Sequence, residues 1–153
     1  MALVLADTNL WLRVADATSA HHVSAQAALD KLERAGHDIC VTPQVFIEYW
    51  AVGTRPVTAN GLGWSAHKVD AEINVLTAKF ALLLDTSRIF THWRFLMKHS
   101  PIHGKRTHDA RLAAVMLSYN VAHILTFNGS DFRSFPHVTV LDPNDVASGA
   151  VMP

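Results

Sequence analysis

Short apolar segments that end in polar residues alternate with amphipathic stretches along this chain. The apolar segments, rich in β-branched residues, are Leu3–Leu5, Ile39–Thr42, Val121–Thr126 and Val138–Leu141. They have the length and composition of buried strands. Strands that alternate with helices indicate a mostly parallel sheet with helices on both faces, so we predict an α/β fold.

Helices are predicted where apolar residues recur at spacings of three and four. Their start and end signals include Gly36 after the first long helix, Thr42-Pro43 before the second and Ser65 before the third. The helix after Ser65 and the one that begins near Ser87 are expected to form a helical hairpin. Residues 1–145 are predicted to be one domain, and residues 146–153 a loose C-terminal tail.

Composition narrows the classes of function without choosing one. Lys plus Arg and Asp plus Glu number 13 each, so the formal net charge is zero and bulk charge does not attract nucleic acid. A single cysteine, Cys40, excludes an intrachain disulfide and favours a reducing compartment. No apolar run approaches membrane-spanning length and the start lacks a basic leader, so we expect a cytoplasmic protein with no membrane partner. The ten histidines match no zinc-binding spacing.

Carboxylates follow the predicted strands at the points where the apolar runs stop. Asp7 comes directly after the first strand and Asp131 shortly after the third, whereas Glu48 lies in the helix after the second. An unpaired carboxylate is costly in a dry core, so these acids belong at the carboxyl edge of the sheet, where α/β proteins bind ligands. Each has a plainer alternative: Asp7 as a helix cap, and Glu48 as an exposed helix residue.

Asp109 is harder to place, because it begins the helix that precedes the strand Val121–Thr126. We expect this position to lie at the opposite edge unless the loop 100–106 carries the chain back across the site. Its alternative role is to complement the positive end of the helix dipole, worth roughly 0.3–1 kcal/mol.

Convergence of these acids would select the chemistry. Two unit charges about 4 Å apart repel by roughly 4 kcal/mol at an effective dielectric of 20, so a cluster requires protonation or a cation. Oxygen ligands favour Mg²⁺ or Mn²⁺, and such a site suits hydrolysis of a phosphodiester. Arg55, Lys105 and Arg106 would then form a local patch for RNA, the alternative being solvated loop charges.

The order of these motifs resembles that of PIN-domain ribonucleases, specifically VapC-type toxins of toxin–antitoxin pairs. The motifs that carry the resemblance are Asp7-Thr-Asn9, Glu48, the loop 54–63, His108-Asp-Ala-Arg-Leu-Ala-Ala114 and Leu125-Thr-Phe-Asn-Gly-Ser-Asp-Phe132. The resemblance covers residues 3–143 and implies a three-layer α/β/α sandwich. It also implies a metal-dependent endoribonuclease that cleaves single-stranded RNA, commonly a homodimer silenced by a small antitoxin protein.

The resemblance assigns roles to individual residues. It implies that the catalytic, Mg²⁺- or Mn²⁺-binding carboxylates are Asp7, Glu48, Asp109 and Asp131. It further implies that carboxylates or water are oriented by Thr8, Asn9, Thr126 and Asn128.

Two other functions are compatible with parts of the pattern. A PIN-like module that binds RNA or protein without cutting would fit the zero net charge and the many histidines. A haloacid-dehalogenase-like phosphatase also has an Asp after its first strand, but its second Asp would fall where this chain has Asn9.

Overall fold

A parallel sheet of five strands organises the chain, and a computed structural model describes all of residues 1–153. The strands are β1 (Leu3–Ala6), β2 (Asp38–Val41), β3 (Ala81–Leu82), β4 (His123–Leu125) and β5 (Thr139–Leu141). The helices are α1 (Thr8–Ala15), α2 (His22–Arg34), α3 (Pro43–Thr54), α4 (Ala66–Lys79), α5 (Ser87–His99), α6 (Arg106–Tyr119) and α7 (Pro143–Ser148). None of these helices combines the length and hydrophobicity needed to cross a bilayer.

The strand order is β3-β2-β1-β4-β5, with every neighbouring pair parallel. β1 is central, and its residues Val4, Leu5 and Ala6 have no exposed surface. A strand covered on both faces reads as a continuous apolar run, which is why Leu3–Ala6 lacks alternation. The prediction of an α/β/α fold around a parallel sheet is confirmed.

The topology creates a crevice between the ends of β1 and β4. The chain passes from β1 to β2 and β3 on one side, then returns to add β4 and β5 on the other. Open α/β sheets bind ligands at the carboxyl edge where the strand order reverses. The backbone N–H of Asp7 donates to the carbonyl of Leu125 at 3.1 Å, so the two strand ends remain paired up to this edge.

Predicted capping residues fix the helix starts near the sheet edge. The Thr42 hydroxyl accepts the N–H of Val45 at 3.2 Å, with Pro43 in the first turn of α3. Ser65 accepts the N–H of Lys68 at 3.1 Å and starts α4. The Thr42 cap sets where α3 leaves β2, and therefore where Glu48 lies.

The predicted helical hairpin is wrong. β3 lies between α4 and α5 in the chain, and α4 packs against α3 while α5 packs against α6. The sequence pattern did not reveal this short edge strand, because two residues are too few to show strand alternation.

The C-terminal end of the chain is more ordered than the sequence suggested. α7 packs against α2, and its residue Val146 is fully buried. The expected loose tail at 146–153 therefore begins inside a packed helix, and residues 146–148 belong to that helix.

Candidate active site

Asp7 lies where β1 ends and α1 begins, and it fills two roles at once. One carboxylate oxygen accepts the backbone N–H of Thr8 at 2.8 Å and caps α1. The other accepts the Asn9 side-chain amide at 2.9 Å and the Thr126 hydroxyl at 2.8 Å. The capping alternative is therefore correct, yet the same side chain also lines a cavity at the sheet edge.

Asn9 and Thr126 join the ends of β1 and β4. The Asn9 amide donates to Thr126 Oγ1 at 3.0 Å, and its carbonyl oxygen accepts the N–H of Phe127 at 3.0 Å. Thr126 Oγ1 also accepts the N–H of Asn128 at 3.0 Å. Because Thr126 is fully buried, this network holds the Asp7 carboxylate in one orientation.

Glu48 is held over the same edge by neutral donors. Its carboxylate oxygens accept the Thr8 hydroxyl at 2.9 Å and the Gln44 amide at 3.1 Å. The Gln44 amide also donates to the carbonyl of His108 at 2.7 Å, and its own oxygen accepts from Arg111 at 3.0 Å. This arrangement links α3 to α6 immediately beside Asp109.

Gln44 and Arg111 were missed as residues of the site. Gln44 precedes Glu48 by four residues on α3, a spacing that allows side-chain contact and could have been recognised from the sequence. Arg111 lies 67 residues from Gln44, and no local pattern indicates that contact.

One cavity of about 440 Å³ collects the predicted site residues. Its polar and charged lining consists of Asp7, Thr8, Asn9, Glu48, Arg55, Lys105, Asp109, Asn128 and Asp131. Thr126 adjoins it through the hydroxyl that donates to Asp7. The four carboxylates thus lie around one space.

Asp109 reaches this cavity from the first turn of α6. The expectation that the start of this helix lies at the opposite edge is wrong. A helix that leads into a parallel strand runs antiparallel to that strand, so α6 must begin near the carboxyl edge in order to deliver the chain to the start of β4.

Cationic side chains flank the acids. Arg55 and Lys105 line the cavity itself, and Arg106 lines the adjoining space with Asp131. The Arg106 guanidinium donates to the backbone carbonyl of Asp131 at 3.0 Å, which ties the start of α6 to the turn after β4.

Burial and neighbouring charges raise the pKa of two of the acids, Asp7 and Asp109. Burial is the main reason why the pKa of Asp7 rises to about 6. The hydrogen bond from Thr126 lowers this pKa, and the charges of Glu48 and Asp131 raise it by smaller amounts. Burial also brings the pKa of Asp109 to about 6, followed by repulsion from Asp131, Asp7 and Glu48. The cavity therefore has a negative potential that favours binding of a proton or a cation.

The donor chemistry of this cavity fits a hard divalent cation. Carboxylate, hydroxyl and amide oxygens are the ligands that Mg²⁺ and Mn²⁺ prefer. No three His, Cys, Asp or Glu side chains are gathered closely enough to form a closed metal cluster. Mutual repulsion between the carboxylates is consistent with their lying apart in the absence of metal. A bound cation would offset that repulsion.

An acidic cavity at the topological switch point, flanked by cations, is a site typical of enzymes that act on phosphate esters. The sequence matches the PIN domain family over residues 4–138, so the chain belongs to that family. The resemblance predicted from the sequence motifs is thereby confirmed. A search of curated proteins finds no relative by sequence.

Solved structures with the same fold include toxins and toxin–antitoxin complexes. VapBC2 of Rickettsia felis, bound to a DNA fragment from its promoter, matches with a TM-score of 0.70 and 12% identity over 91% of this chain and 97% of that one. VapC20 of Mycobacterium tuberculosis, a sarcin-ricin loop cleaving toxin, matches with a TM-score of 0.64 and 18% identity, covering 86% and 95% of the two chains. VapBC-1 of nontypeable Haemophilus influenzae gives a TM-score of 0.64 and 16% identity over 92% and 98%.

Proposed function

We propose that this protein is a metal-dependent endoribonuclease that cleaves single-stranded RNA, and that it is the toxin of a toxin–antitoxin pair. The observation that carries the proposal is the single cavity in which four carboxylates face two cationic side chains at the sheet edge of a PIN domain. The sarcin-ricin loop cleaving toxin, which shares the fold, supports RNA as the substrate class.

In this proposal Asp7, Glu48, Asp109 and Asp131 hold Mg²⁺ or Mn²⁺. When bound, the cation supplies an activated water and neutralises charge on the phosphodiester. Asp7 is kept in position by the Thr8 N–H and by the side chains of Asn9 and Thr126.

Other side chains position Glu48 and the substrate. Thr8 and Gln44 keep the Glu48 carboxylate aimed into the cavity. Asn128 faces the same space and orients water, while Arg55, Lys105 and Arg106 bind the RNA phosphates.

Cleavage of a labelled single-stranded RNA tests this function directly. Purified protein is assayed with Mn²⁺, Mg²⁺ or EDTA, with Asp7→Asn as the blocked variant and exposed Asp30→Asn as the matched control. We expect cleavage with metal that EDTA and Asp7→Asn abolish and Asp30→Asn leaves unchanged. Equal cleavage by wild type and Asp7→Asn would refute the assignment. A folded protein that binds RNA but no cation, by calorimetry, would support a non-cutting binding module.

We also propose a small antitoxin protein as partner, and a homodimer in the cytoplasm as the working form. The VapBC complexes among the structures of the same fold support the antitoxin. Growth arrest by the wild-type chain, relieved by co-expression of a small protein encoded next to it, would establish the pair. Sedimentation velocity measures the oligomeric state, and a purely monomeric protein would refute the homodimer.

A further inference from the structure

A second pocket, of about 410 Å³, lies between α5 and the first turns of α6. Its lining includes two aromatic side chains, Phe90 and Trp93, whose rings stack with centroids 6.0 Å apart and an interplanar angle of 27°. We call this pair the aromatic platform. Phe90 is 65% exposed, so one ring of the platform is open to solvent.

The aromatic platform is fixed relative to the acidic cavity. The Trp93 indole N–H donates to the carbonyl of Thr107 at 3.0 Å, two residues before Asp109. His108 lines both this pocket and the space that contains Asp109 and Glu48, so the two sites adjoin. A ligand that fills the acidic cavity can therefore extend onto the platform.

Arg111 gives the pocket a polar wall. Asp85 contacts its guanidinium at 3.1 Å and the Gln44 oxygen accepts from it at 3.0 Å. A guanidinium has five N–H donors in a rigid plane. The N–H groups of Arg111 that contact neither Asp85 nor Gln44 can therefore donate hydrogen bonds to the edge of a planar ligand.

The chain segment that carries the platform is basic, in a chain whose net charge is zero. Residues 87–108 contain five Lys or Arg, four His and no Asp or Glu. Arg94 is exposed and lies one helical turn after Phe90, on the same side of α5. A basic surface with an exposed aromatic ring is complementary to single-stranded nucleic acid, whose phosphates it attracts and whose bases it stacks.

We propose that the pocket between α5 and α6 binds one unpaired base of the RNA whose backbone enters the acidic cavity. The base stacks on Phe90 of the platform, and Arg94 contacts a neighbouring phosphate. This inference rests on the proposed function and adds to it a subsite for the substrate. A second copy of this chain is the competing occupant of the exposed ring.

Binding is measured in the Asp7→Asn background with EDTA, so that the RNA stays intact. The probe is a short single-stranded RNA of mixed sequence, with a fluorescein label for anisotropy or with 2-aminopurine to report stacking. Phe90→Ala is compared with Phe95→Ala as its matched control. Phe95 lies on the opposite side of the same helix and is similarly exposed, at 55% against 65% for Phe90. Phe90→Tyr retains a ring.

We expect Phe90→Ala to raise Kd roughly 5-fold to 100-fold and to remove 2-aminopurine quenching, because stacking on one aromatic side chain has about that value. Phe95→Ala and Phe90→Tyr should bind like the parent. Arg94→Gln should lower the slope of log Kd against log salt by about 0.7, the value for one contact to a single strand.

Equal effects of Phe90→Ala and Phe95→Ala, or no effect of Phe90→Ala, would overturn the subsite. So would a parent dimer that Phe90→Ala converts to a monomer in sedimentation, because the ring would then lie in an interface between copies. Cleavage by the wild type is measured separately. If the wild type cleaves RNA but Phe90→Ala binds RNA as tightly as the parent, the subsite alone is refuted. If Phe90→Ala weakens RNA binding but the wild type does not cleave RNA, the nuclease activity alone is refuted.

Discussion

Asp109 is expected to destabilise the metal-free protein at neutral pH, so Asp109→Asn should stabilise it. The pKa of Asp109 is about 6 in the folded chain against an ordinary 3.8, mainly because of burial and then the charges of Asp131, Asp7 and Glu48. This difference corresponds to about 3 kcal/mol for a fully buried group. The half-buried position allows solvent screening, and the helix N-terminus offsets roughly 0.3–1 kcal/mol. About 1 kcal/mol remains as the expected gain.

The gain must depend on pH in one direction. Well below pH 3.8 the Asp109 carboxyl is protonated in both the folded and the unfolded chain, so it imposes no penalty. As pH rises toward 6, only the folded chain keeps the proton, and its stability falls with pH. The advantage of Asp109→Asn should therefore be small at pH 4, should grow through about pH 6, and should be nearly complete at about pH 7.

Urea denaturation in EDTA, at several pH values from 4 to 7.5, measures this effect. Asp30→Asn on α2 removes an exposed carboxylate and should change the free energy of unfolding little. Adding Mn²⁺ should stabilise the wild type and not Asp109→Asn, because the variant lacks a proposed ligand. A loss of stability in Asp109→Asn at neutral pH, without metal, would refute this account of the cavity.

Other side chains give simpler tests. Thr126→Val removes the buried hydroxyl that donates to Asp7, and should cost about 1–3 kcal/mol in urea denaturation and lower Mn²⁺ affinity about 10-fold to 100-fold by calorimetry. Val146→Ala should cost about 1.5–3 kcal/mol because this side chain of α7 is fully buried, whereas Val151→Ala, at 38% exposed, should cost little. Burial raises the pKa of Cys40 to about 12, so a thiol reagent should modify it only when the chain unfolds, and fast modification of the native protein would contradict this.

The residues at the carboxyl edge of the sheet could be predicted because burying a charged side chain in a central strand is energetically costly. Asp7 ends β1, and the polar residues from Thr126 end β4, so the sequence marks both strand ends without any tertiary information. For Asp109 the prediction from chain direction was wrong, whereas the motif to which Asp109 belongs indicated a place in the site. The direction of a helix between parallel strands is fixed, and correct use of that rule puts Asp109 in the cavity.

Other features depend on tertiary contacts that the sequence pattern does not contain. β3 has two residues, and α7 has six, so neither is long enough to show a period. α7 is an ordered part of the fold because Val146 is buried and the helix packs against α2, a segment more than 100 residues earlier. The contact between Arg111 and Gln44 likewise joins two helices distant in the chain.

The way the carboxylates are held explains how the site can remain negative. All the side-chain and capping hydrogen bonds accepted by the Asp7 and Glu48 carboxylates come from neutral donors: a backbone N–H, hydroxyls and amides. Neutral donors hold a carboxylate in one orientation and leave its negative charge in place. An ion pair with Lys or Arg would hold the carboxylate and also neutralise its charge. Arg111, which donates to Gln44, pairs with Asp85 and is linked to Glu48 through Gln44. The negative potential is thus preserved at the sheet edge, where a divalent cation would lower it and the flanking cations would meet a phosphate.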